Sequence, residues 1–113
     1  MTSNIQRFEE IAKKILIALH QSFPAASYLG PNDLGLTDEQ PTRDQLGGRA
    51  TSDEWDELDR EVRRAMLWLV EEGLVHDRRY KMSASHILTS EGFIALERLD
   101  PTYRAPALAK ILK

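Results

Sequence analysis

Two amphipathic stretches of roughly twenty residues each decide most of what this chain can become. Between Thr51 and Gly73, the residues Trp55, Leu58, Val62, Met66 and Leu69 recur at three- and four-residue steps, the spacing of one helix face. Asp53, Glu54, Asp56 and Glu57 fill the first turns with anions, which the helix dipole favours there. Thr51 or Ser52 supplies a cap, and Gly73 suits the left-handed stop, so the pattern predicts a helix over residues 52–72. Ile5, Phe8, Ala12, Ile15, Leu16 and Leu19 mark a second stripe and predict a helix over 4–22, with Ser3 and Gln6 as a capping box and Pro24 as the stop. A chain of 113 residues holding both has room for one core and hence one domain.

Residues 24–52 read as an irregular connector. Gly30-Pro31, Asn32-Asp33, Gly35, Pro41 and Gly47-Gly48 are turn chemistry. So long a stretch with no structure is unusual in a small domain, so a short helix is expected within it, as one turn over 31–36 or another over 42–46. After Gly73, the segment 74–88 is too short and too weakly patterned for a third long helix and reads as a β-hairpin, with Arg78, Arg79, Tyr80 and Lys81 at its tip. Thr89 or Ser90 caps a helix over 90–100, with Phe93, Leu96 and Leu99 inward and Pro101 as its end. In the short tail, Leu108, Ile111 and Leu112 give residues 107–112 one apolar side. The expected class is α+β: mainly α, about four helices, with one small β-hairpin.

That order of elements resembles a winged helix-turn-helix domain. The stretch AMLWLVEEGLVHD is similar to the end of the family's recognition helix and the start of its wing. HILTSEGFIALERL is similar to its return strand and the helix that follows. MarR-type regulators and small bacterial and phage winged-helix proteins share this pattern. The likeness spans about half of the chain, Trp55 to Leu99. It implies double-stranded DNA as a partner, a homodimer, and a wing that lies along phosphates.

The departure from the family falls where DNA would be read. Recognition helices present basic or amide side chains in their first half. Here that half carries Asp53, Glu54, Asp56, Glu57 and Asp59. Residues 53–72 hold eight acidic and three basic side chains, for −5, whereas 73–113 hold seven basic and four acidic, for +3. Two readings therefore stand open. In the first, a DNA-binding regulator grips phosphates with Arg78, Arg79 and Lys81 of the wing and with Arg60 and Arg64 of the long helix. Arg43 and Arg49 add to the same side, and Asp56 or Glu57 competes for Arg60. In the second, the fold is a protein-interaction module, an accessory subunit or a phage-type inhibitor. Asp53, Glu54, Asp56 and Glu57 then meet a basic partner, with Leu67 and Trp68 as apolar anchors or as cover for the first helix.

Other chemistry is weaker. Without cysteine there is no disulfide, thiol nucleophile or Cys-ligated metal. His76 and His86 face one another across the expected hairpin beside Asp77, but their spacing matches no metal motif. Ser85 and His86, adjacent on a strand, point apart and make no nucleophile and base. Gly47-Gly48-Arg49 lacks the end of a phosphate loop, and Glu71 and Glu72 do not converge on a substrate. No enzyme, cofactor or metal is expected. The longest apolar run, Ile15 to Leu19, is five residues, against about 20 for a membrane span. No secretion signal opens the chain, so the expected compartment is the cytoplasm.

Overall fold

The computed structural model describes residues 3–43, 49–80 and 83–111; the side chains of residues 43, 49, 79, 80, 83 and 84 lie outside that description. The first helix, α1 (Asn4–Ser22), opens with the capping box: Ser3 Oγ accepts from the Gln6 N–H at 3.0 Å, and Gln6 Oε1 accepts from the Ser3 N–H at 3.1 Å. Ile11, Ala12, Ile15, Leu16 and Leu19 turn inward. Ile5 continues the stripe but is exposed. Periodicity identifies a face, not what covers it, and Ile5 is left 70% exposed.

The connector resolves into two devices. Stacked turns over 31–36 close on the Gly30, Pro31 and Asn32 carbonyls, with Gly35 at φ +74°. The expected helical turn over 42–46 is not what forms: Thr42 starts a two-residue ladder in which β1 (Thr42–Arg43) pairs antiparallel with β2 (Arg49–Ala50). Residues 44–46 lie outside the described residues, as do Gly47 and Gly48. Pairing of Thr42 and Arg43 with Arg49 and Ala50 satisfies backbone groups that a single helical turn would leave open. Upstream, Ser27 exchanges both backbone hydrogen bonds with His86, at 2.8 and 3.0 Å, which docks the connector beside the wing.

Ser52 caps α2 (Asp53–Glu71), its Oγ accepting from the Trp55 N–H at 3.1 Å. Trp55, Val62, Ala65, Met66 and Leu69 are buried; Leu58, expected in the stripe, is half-buried at its edge. The helix ends in a Schellman turn. Gly73 takes φ +80°, its N–H reaches the Val70 carbonyl, and the Leu74 N–H reaches that of Leu69 at 2.9 Å.

The wing follows at once, β3 (Val75–Tyr80) antiparallel to β4 (Ser83–Leu88), with Val75 opposite Leu88 and Tyr80 opposite Ser83. Thr89 then caps α3 (Ser90–Leu99) and also binds backward, its Oγ1 donating to the Gly73 carbonyl at 2.6 Å and its N–H to that of Leu74 at 3.1 Å. Phe93 and Leu96 point inward, but Leu99 does not. The last helix, α4 (Ala107–Ile111), buries only Ala109 and leaves Leu108 and Ile111 exposed, the reverse of the expected apolar side. His20 helps seat this tail by donating from Nε2 to the Arg104 carbonyl at 2.9 Å, its ring edge-on to Phe93 and Tyr103.

The core lies where α1, α2, α3 and the root of the wing meet. The result is an α+β fold of winged-helix-like layout. No described helix is long and apolar enough to cross a membrane.

Candidate nucleic-acid interface

At about 100° per residue, α2 places Asp53, Glu57, Arg60 and Arg64 on the side away from the core. All four are exposed. Arg60 is held by Glu57 one turn back, as the spacing suggests, while Asp56 accepts from the Thr51 hydroxyl instead. Arg64 makes no ion pair among the described residues. On the wing, Arg78 is exposed opposite Ser85 and likewise makes none. Arg79 belongs to the β3 backbone, opposite Ala84. The strand runs through Tyr80, so these arginines occupy the ribbon itself and not a loop at its tip. Lys81 lies outside the described residues, as do the side chains of Arg43 and Arg49.

The N-terminus of α2 is more acidic than the helix alone suggests. Besides exposed Asp53 and Glu54, it receives Glu39 from the connector, whose carboxylate accepts from the Ser52 N–H at 2.8 Å and from the Ser52 hydroxyl. An anion there is favoured by the helix end and occupies donors that a phosphate would otherwise use. At the other end of α2, Trp68 packs edge-on against Phe8 of α1, with centroids 5.2 Å apart, and so covers the first helix. Leu67 stays bare.

Arg63 lies outside the expected site residues, although Asp59 four residues earlier signals a helical ion pair. Its guanidinium bonds the Leu29 carbonyl, approaches Asp59 at 3.4 Å and covers the Tyr28 ring at 4.7 Å. This arginine fastens the connector to α2. Next to it lies His86, buried in β4, with Nδ1 unpartnered among the described residues and Nε2 3.9 Å from Asp77. The expected facing of His76 and His86 does not occur. The strands pair Tyr80 with Ser83, a register that sets His86 opposite Asp77 and exposed His76 opposite Ile87. No three His, Asp or Glu side chains gather as a metal site among the described residues.

Burial pushes the His86 imidazole below its ordinary pKa; Asp77 opposes that shift and Arg63 adds to it. As pH falls, the unfolded chain therefore takes up this proton before the folded one does. The contribution to stability is complete above the ordinary imidazole pKa and is lost as pH falls through the folded value. In urea titrations from neutral pH to about pH 5, His86→Gln is expected to flatten the loss of stability seen in the parent. An unchanged slope would assign that loss to other groups.

No protein-family model, curated protein or solved structure matches the chain.

Proposed function

We propose that the chain is a small winged-helix DNA-binding protein, a transcriptional regulator that grips phosphates with its wing and the middle of α2. The state of the arginines carries this reading. Arg7 is tied to Glu61, Arg60 to Glu57 and Arg63 to Asp59, whereas Arg64 and Arg78, like Arg98 and Arg104 elsewhere on the surface, are exposed and have no ion pair among the described residues. In a protein of net charge −3, guanidinium groups left open on an outward helix face and on a ribbon are available to an anion from outside. Arg79 and Lys81 extend the same basic run. Glu39, Asp53 and Glu54 keep the helix N-terminus away from phosphate, so base contacts are few and sequence preference comes largely from DNA shape.

Fluorescence anisotropy with a labelled random duplex, from low to physiological salt, tests this reading. Log affinity is expected to fall linearly with log salt, by about 0.9 for each phosphate neutralised. Combining Arg64→Glu with Arg78→Glu is expected to weaken binding and lower that slope by about two. Asp53→Lys with Glu57→Lys is expected to strengthen it. Silence at low salt overturns the reading. The second reading then takes its place: a protein-interaction module presenting Asp53, Glu54, Asp56 and Glu57 to a basic partner. The observation favouring that reading is Glu39, which adds a carboxylate to the same end of α2.

A further inference from the structure

The segment from Pro24 to Leu29 leads from α1 into the connector with little apolar contact to hold it down. Pro24, Ala25, Ala26 and Tyr28 are exposed, and Leu29 is its first buried side chain. Its attachments are mostly polar. Ser27 exchanges backbone hydrogen bonds of 2.8 and 3.0 Å with His86, while Arg63 bonds the Leu29 carbonyl and covers the Tyr28 ring. A segment held by a few hydrogen bonds and one buried side chain is a unit that opens while the core stays closed.

This segment closes beside a titratable group. His86 lies two positions outward from the core residue Leu88 on the same side of β4, and Asp77 stands in the same relation to Val75 on β3. The imidazole is therefore on the core-facing side of the wing, and the residue is only 5% exposed. Three elements bring charged or titratable groups to it. Asp77 comes from β3 at 3.9 Å, Arg63 from α2 with Asp59 3.4 Å away, and Tyr28 from the connector beneath Arg63. Asp77 favours a proton on the ring, whereas burial, the strongest influence, and Arg63 oppose it. Nδ1 has no hydrogen-bond partner among the described residues. A charged ring with that nitrogen kept from water is costly, and water reaches it once the segment lifts.

We propose that His86 is a proton-operated latch: its neutral ring lets residues 24–29 close against the wing, and its protonation releases them while the helical core stays folded. A state that exposes the ring binds the proton more tightly than the closed state does, so falling pH favours release. The latch rests on the fold alone and holds whether or not the wing meets DNA.

Amide hydrogen exchange of the full chain, read by NMR and corrected for the intrinsic effect of pH, separates this release from unfolding of the whole molecule. The Ser27 and His86 amides are expected to exchange well before those of Leu16 and Val62 in the core at every pH. Between about pH 7.5 and about pH 5 their protection is expected to fall by about tenfold. His86→Gln removes that fall. In the parent chain the fall is expected to begin near the ordinary imidazole pKa and to level off where the His86 ring itself titrates, so the parent decides the matter even if the variant does not fold. The latch is overturned if the Ser27 amide is protected as strongly as the core, if its protection ignores pH, or if the fall bears no relation to the ring titration. An equal fall in a folded His86→Gln chain overturns it too.

Discussion

Gly92→Ala is expected to destabilise the protein by about 3 kcal/mol or more, at the upper end of what overpacking costs. Propensity alone predicts the opposite sign, since alanine within a helix is favoured over glycine by ~0.8–1 kcal/mol. Space decides the matter. Gly92 is buried in the first turn of α3, and a Cβ there would overlap the Leu74 carbonyl oxygen and stand 3.1 Å from Leu88 Cδ2. Leu74 is not a side chain that can swing aside. Its carbonyl accepts from Thr89, its N–H is committed to Leu69, and the Gly92 N–H is held by Thr89 Oγ1 at 3.0 Å. Relief requires α3 to lift from the end of α2, which loosens Phe93 and Leu96 in the core. Urea denaturation of the variant checks this; stability equal to or above the parent would show that the helix end yields more easily than its hydrogen bonds imply.

Leu69→Ala is expected to cost about 2–5 kcal/mol, while Leu67→Ala two positions earlier stays within ~0.5 kcal/mol. The residue type and the helix are the same, and only the face differs. Leu69 is 1% exposed in the core between α1 and α2, so truncation leaves a void walled by well-packed neighbours. Leu67 is 59% exposed. Parallel denaturation of the two variants measures the contrast, and equal losses would mean that Leu67 is covered in solution.

These faces were legible in the residues, as were both long helices, the Ser3 box and the wing. Each rests on local chemistry: stripe spacing, a capping hydroxyl, a glycine where the backbone turns left-handed. What the residues hid depends on contacts between distant segments. Ile5, Leu99, Leu108 and Ile111 have the right periodicity for burial but no covering element among the described residues. The partner of His86 depended on the strand register, and a shift of one residue exchanges every cross-strand pair. Glu39 reaches Ser52 from thirteen residues away, and Arg63 reaches Leu29 from thirty-four, so neither leaves a local pattern. The candidate phosphate contacts were legible as charge; which arginines remain open was not, because Glu57 and Asp59 had first to be placed.

Thr89 has a mechanical consequence. Through its hydroxyl and its N–H it staples the last turn of α2 to the first turn of α3, at the point where both wing strands leave the body of the protein. The wing is thus clamped at its root and braced again two residues further out, where Ser27 pairs with His86. A load applied near Arg78 passes down both strands into a joint shared by two helices and, through Ser27, into the connector.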